Sequence, residues 1–257
     1  SGRPGKKDSY SFADVFNMDS QSKVVFNSVG LQFKNRQLDI RDATGSFLIG
    51  ESTTTDNFRL LLNNQSIVFS GKFMNFPGWL TGNPIDLTGS ATVTASSFRP
   101  ELFMNDSKEE NDEDAAVTAP VTFPDDVSLD VNFRIDTLSY RTFDARNIAG
   151  TLSIRPDMMN FRTITMNSQG GRVSGNGLVV QNRDKSFIGR GSFTVTEVDV
   201  NKSFVTFHNF GQDFLKAENL AGSLSGNITL ILPADSLLNP DINSITAEGK
   251  YVITDGA

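Results

Sequence analysis

The chain contains no cysteine, a single histidine and a single tryptophan. Without cysteine there is no disulfide, no thiolate nucleophile and no thiolate metal site, although the compartment stays open. The one histidine, His208, lies in TFHNFG beside Phe207 and Phe210, where it reads as a packed or surface residue rather than a catalytic base. A catalytic zinc site usually draws on several histidines. No G-x-S-x-G elbow surrounds a serine, and no G-x-x-x-x-G-K-[ST] loop occurs. GGRVSGNG, residues 170–177, lacks the dinucleotide spacing, so its Gly-Gly and Asn-Gly pairs read as hairpin turns. The expectation is a protein that is not an enzyme, with no catalytic residues, no metal and no cofactor. One tryptophan and three tyrosines make a poor platform for sugars, which weighs against a glycosidase or lectin. Trp79, in NFPGWLTGNP, reads as a loop anchor packed on a core. A formal net charge of −7 disfavours nucleic acid as a partner. No run of ~18 apolar residues is present to span a membrane.

What the chain has instead is phenylalanine, 21 of them in 257 residues, mostly in alternating segments. The clearest is VSLDVNFRID, 127–136. Val127, Leu129, Val131, Phe133 and Ile135 point one way, and Ser128, Asp130, Asn132, Arg134 and Asp136 the other. Glycine, asparagine, serine and threonine fill the intervals between such runs. The pattern implies an all-β fold with few short helices, in which each sheet has one apolar face rich in rings that carry no hydroxyl. Such a face either closes as the core of a sandwich or stays open and holds something apolar. Candidate lipid-contact positions on it are Val131, Phe133, Ile135, Phe193 and Val195. Among them, Phe133 sits mid-strand and is expected to be buried, with open surface only near the ends of the sheet.

Two halves of the chain echo each other at a spacing of roughly 105 residues. LQFKNRQLDIRDATGSFLI (31–49) matches LSYRTFDARNIAGTLSI (138–154), each with a second strand entered through a glycine, Gly45 or Gly150. Residues 58–73 match 161–178, and 86–98 match 187–200. The repeat predicts tandem antiparallel β-units of five or six strands forming an elongated, curled sheet or groove. The first unit spans 1–104 and the second 121–257. Between them, 105–120 is acidic and poor in large apolar residues, as expected of a mobile loop. It lacks the calcium-loop pattern. Two helices are expected after the last strand of each unit. One covers 96–104 with Ser97 as N-cap. The other covers 199–220, with Val200, Phe204, Phe207 and Phe210 on one face and a break at Gly211. The closing strand-like YVIT followed by Asp255-Gly256 reads as a hairpin turn awaiting a return strand, so the chain is expected to be a fragment, cut short at its C-terminal end. The abundance of Asn, Thr and Ser hints at an exported bacterial protein.

NFGQDFLKAENLAGSLSGNITLIL (209–232) followed by INSITAEGKYVITDGA (242–257) resembles the C-terminal region of the AsmA-like family of envelope proteins, in the large forms of Bacteroidetes-type bacteria. The motif is Phe-Gly-x-x-Phe, then Asn-Leu-x-Gly-x-Leu-x-Gly, a strand, and Ala-x-Gly-x-x-x-Ile-x-Asp-Gly. The resemblance extends over roughly residues 129–257, and the first half shares it through the repeat. It implies a periplasmic body tethered to the inner membrane by an anchor outside this sequence, a role in outer-membrane assembly, and a β-groove for lipid transport whose partners are acyl chains. The family contributes no catalytic residues. The competing expectation is a structural or adhesive β-sandwich module that binds protein partners through loops.

Overall fold

The computed structural model describes residues 22–33, 38–100, 120–211 and 215–256. They form one twelve-stranded sheet whose spatial order follows the sequence from β1 to β12. The strands are β1 (Ser22–Phe33), β2 (Leu38–Ile49), β3 (Thr53–Leu62), β4 (Gln65–Met74), β5 (Leu87–Phe98), β6 (Val127–Tyr140), β7 (Phe143–Arg155), β8 (Met158–Ser168), β9 (Gly171–Gln181), β10 (Phe187–Asp199), β11 (Ser223–Ala234) and β12 (Thr246–Thr254). Every neighbouring pair is antiparallel except β5 and β6, which run parallel with Leu87 opposite Val127. The edge strands β1 and β12 do not pair with each other, so the sheet curls without closing. A single curled sheet, with no second sheet among the described residues, replaces the sandwich alternative.

The tandem unit is five strands long. β1–β5 and β6–β10 correspond strand for strand, and the parallel β5–β6 contact is the joint between them. The repeat extends to defects in the ladder. Asp42 in β2 and Asn147 in β7 both adopt positive φ at a shift of register. Three residues later stand Gly45 and Gly150. Each such bulge adds one unpaired residue and increases local twist, which coils the sheet. Neither glycine opens its strand, as the sequence suggested. Both lie mid-strand, opposite Phe26 and Phe133 respectively.

Two other expectations give way. Ser96–Phe98 continue β5, where the β-branched and small residues of TVTASSF favour the ladder, so the expected helix does not begin at Ser97, and its part 101–104 lies outside the described residues. Asn176-Gly177 is not a turn but the middle of β9, while Gln169-Gly170 does make the β8–β9 turn. The acidic segment 105–120 lies outside the described residues apart from Pro120.

One short helix was not legible in the sequence: α1 (Phe76–Leu80), between β4 and β5, with a proline in its first turn. Its Phe76 and Trp79 pack on the sheet, so Trp79 is an anchor, but on a helix rather than a loop. The second helix, α2 (Val200–Thr206), begins at Asp199, whose carboxylate accepts from the Lys202 amide at 2.9 Å. It stops at Thr206, earlier than expected, because His208, Asn209 and Phe210 all turn to positive φ ahead of Gly211.

The strand ends make two rims. α1, the Val121–Phe123 lead into β6 and the β11–β12 loop lie on the first rim. The excursion between β10 and β11, containing α2, lies on the second. The curl is deep enough for the rims to meet. Arg141, in the β6–β7 turn of the second rim, donates to Asn239 Oδ1 of the first-rim loop at 3.2 Å. The turn His208–Gly211 likewise lies against Ile242–Ser244.

Candidate apolar groove

Registers place one set of side chains on a single face across the whole sheet. One row runs Phe133, Gly150, Ile164, Gly175, Phe193, Ile228 and Gly249 across β6 to β12. Beside it runs Val131, Leu152, Phe161, Gly177, Gly191, Leu230 and Ala247. The opposite face, reached by the alternate residues, carries mostly serine, threonine, asparagine and charge, interspersed with aliphatic residues such as Val25, Leu48, Leu178 and Ile231.

All five sequence-selected positions fall on the apolar face. Val131, Phe133 and Ile135 stand together on β6, and Phe193 and Val195 on β10, with β7–β9 between the two groups. Phe133 and Phe193 share one row. Val131, Phe133, Ile135 and Phe193 are half-buried, and Val195 is buried. Phe133 thus falls short of the full burial expected for it. Over β6–β11 most mid-strand positions on this face keep partial exposure, because no second layer covers them among the described residues. The strand ends are the sealed parts. At the first rim Phe73, Leu87 and Val127 form one buried cluster, with α1 packed on it. Phe123, Phe187 and Ala234 form another, and Phe187 is 2% exposed. At the second rim Ala145, Ile148, Val198 and Val200 are buried.

The two units use the face differently. In β1–β4 it is filled by phenylalanine. Phe26, Phe47 and Phe58 are buried in mutual ring contacts of 4.6–5.8 Å, and Phe76 stacks on Phe47 at 5.1 Å. Each such ring contributes roughly 1.5–3 kcal/mol by burial. In β6–β12 the rings lie down on glycines. A Cβ on Gly175 would stand 2.8 Å from Phe193 Cδ1, and one on Gly191 2.6 Å from Phe193 Cε2. Phe133 covers Gly150 in the same way, and its edge meets Phe161 at 6.2 Å. Flat rings leave an apolar floor of low relief.

Sequence reasoning missed two buried glutamines on this face. Gln65 Nε2 donates to the Arg99 carbonyl at 3.2 Å and its Oε1 accepts from the Arg99 amide at 2.6 Å. Gln181 Oε1 accepts from the Phe123 amide at 2.9 Å, while its Nε2 donates to the Val121 carbonyl at 2.8 Å. They fasten the chain where it leaves β5 and where it enters β6, on opposite rims. The only signal available was a glutamine in each case at the edge of an apolar strand.

On the polar face Asp130 accepts from Ser153 Oγ at 2.7 Å, Arg162 at 2.9 Å and Arg155 at 3.1 Å. The Ser153 hydroxyl above all, then the Arg155 hydrogen bond and charge, hold its carboxyl below the usual range despite an opposing desolvation. Two shallow depressions of about 390 and 760 Å³ on this face are edged by residues such as Thr92, Thr94, Asn176 and Thr194, with more apolar than polar surface in their lining. Among the described residues no group of three or more histidines or carboxylates is placed to hold a metal, and no helix is long and apolar enough to cross a membrane.

No family model, no curated protein and no solved structure matches this chain.

Proposed function

We propose that the chain is a non-enzymatic, periplasmic module of AsmA-like type that holds or conducts lipid on its apolar groove in support of outer-membrane assembly. The observation that carries this reading is the apolar floor that runs across β6–β12, mostly half-buried on β6–β11 and exposed on β12, without a covering sheet among the described residues. An acyl chain outside a bilayer loses about 0.8 kcal/mol of favourable burial per CH₂. A floor of Phe, Leu, Ile and Gly returns that energy and asks for no polar partner. The tether to the inner membrane and the link to outer-membrane assembly rest on the motif resemblance in 209–257. The rival reading, an adhesive module with a closed core, calls for a second sheet over this floor.

The test is lipid capture. The purified chain is extracted with organic solvent and the extract analysed by mass spectrometry, and binding of a fluorescent fatty acid is titrated. Acyl lipid in the extract, with saturable binding lost in Phe133→Asp and Phe193→Asp variants that stay folded, is the expected result. No acyl lipid and no fatty-acid binding by a folded chain would overturn the proposal.

A further inference from the structure

The sheet ends on two unlike edges. Along β1 the edge is broken: Ser28 has a φ of +52°, and register shifts interrupt its pairing between Phe26 and Val29 and again between Val29 and Leu31. Bulges of this kind twist an edge away from further pairing. β12 has no such device. Its nine residues, TAEGKYVIT, pair with β11 without a shift, none has positive φ and none is proline. All nine are exposed, with Tyr251 at 61% and Val252 at 64%. A regular strand whose outer N–H and C=O groups face solvent is a template for a further strand.

The only charges on β12 are Glu248 and Lys250, opposite in sign and two residues apart. Both therefore stand on the polar face, and their β11 neighbours are the uncharged Thr229 and Asn227. Charges on an edge normally repel a second strand. This pair is self-complementary instead. Two copies of β12 related by a two-fold axis pair antiparallel, with one residue of each strand at the axis. When that residue is Gly249, Glu248 of each copy faces Lys250 of the other, and the ion pair forms twice. One step of the axis in either direction sets Glu248 against Glu248 or Lys250 against Lys250, and a second step leaves both charges without a partner. Opposite charges across an antiparallel pair are favourable and like charges are not. The axis at Gly249 pairs Thr246 with Val252 at the ends of the matched stretch. On the floor face it sets Tyr251 opposite Ala247 of the other copy and diagonal to Gly249, small residues that leave room for the ring.

We infer that β12 is a dimerisation edge, and that its occupant is a second copy of this chain paired antiparallel about Gly249. What selects a copy over an unrelated strand is charge: Glu248 and Lys250 answer each other across the axis and admit one register, whereas an unrelated strand would have to bring an opposed pair at the same spacing. The pairing is isologous and closes on itself, because the edges left free in the dimer are two β1 strands with their bulges. Main-chain hydrogen bonds supply the attraction, as in other strand additions. Ala247 and Gly249 belong to the apolar floor, so the floor runs from one copy into the other on the same side of the joined sheet. The matched stretch is short, and the dissociation constant is on the order of micromolar. The interface goes beyond lipid binding and does not rest on it, since its ion pairs lie on the polar face.

The experiment is sedimentation velocity of the full chain from about 1 to 100 µM. A reversible monomer–dimer equilibrium is expected. Lys250→Glu and Glu248→Lys each convert both ion pairs into like-charge pairs and should weaken the dimer about tenfold or more. The exchange Glu248→Lys/Lys250→Glu restores both pairs and should recover the native association. Both side chains are exposed, so circular dichroism spectra and thermal melts of all three variants should stay native. The register is read by cross-linking, which the absence of cysteine makes clean. Thr246→Cys and Val252→Cys chains, mixed and mildly oxidised, should form a disulfide with each other and neither with itself. A monomer throughout the concentration range would overturn the proposal and leave the edge to another strand. So would assembly beyond the dimer, a dimer that survives both single reversals or is not recovered by the exchange, or self-cross-linking of either cysteine variant.

Discussion

Phe133 lies across Gly150 on the neighbouring strand: a Cβ added to that glycine would stand 2.9 Å from the ring's Cζ and 2.2 Å from the Thr163 carbonyl oxygen. The ring and the empty glycine position are one feature, and it recurs with Phe193 on Gly175 and with Phe58 on Gly45. Gly150→Val should therefore displace both a ring and a backbone carbonyl and cost about 3 kcal/mol or more. At Gly189 the nearest atom to an added Cβ is 3.6 Å away. Gly189→Ala should stay within about 0.5 kcal/mol of the native chain or stabilise it by restricting the unfolded state. Urea denaturation of the two variants checks the contrast.

The partial exposure of the floor and the sealing of the rims make opposite forecasts for the same chemical change. Phe133→Asp, half-buried, should leave the chain folded with a loss of about 2 kcal/mol, whereas Phe187→Asp, at 2% exposure, should unfold the second unit. Thermal melts followed by circular dichroism distinguish them. Equal losses at the two positions would show the floor to be closed.

Gln65 and Gln181 are each 4% exposed and each satisfies main-chain groups of the β5–β6 connection. Replacing either by alanine leaves a donor and an acceptor without their partner, at a cost of about 1–3 kcal/mol for each group left buried. Hydrogen exchange gives the local readout. The Phe123 amide should exchange faster in Gln181→Ala, and the Arg99 amide in Gln65→Ala, while strands far from the connection keep their protection.

Asp235 orders the loop that reaches across to Arg141. The Asn239 side chain chiefly, then the Asn239 and Leu237 amides and the Arg141 charge, hold its carboxyl below the usual range against a small desolvation. A depressed folded value means that the loop's support is present above about pH 4 and is lost as pH falls through the folded value. Exchange of the Leu237 and Asn239 amides, corrected for intrinsic rate, should accelerate in that acidic window. In Asp235→Asn it should be fast already at neutral pH and show no such step. The carboxyl is exposed, so global stability should move little.

By itself the sequence determined the local pieces. Strict alternation in 127–136 specified β6 and which of its faces is apolar, because side-chain direction in a strand has a period of two. The echo between 31–49 and 138–154 specified two equivalent hairpins, down to Gly45 and Gly150. What the sequence could not carry is any relation between residues far apart in the chain. The parallel joining of β5 to β6 depends on two glutamines fastening main chain 34 and 58 residues away. Whether the apolar face meets a second sheet is a matter of topology, and only the assembled sheet left the floor half-open and sealed the rims. The glycines show the limit most directly. Gly177 follows an asparagine and reads locally as a turn, but with Phe161 and Gly191 across from it in the ladder it is a mid-strand position on the apolar floor. Local chemistry supplied the residue, and its strand neighbours decided its purpose.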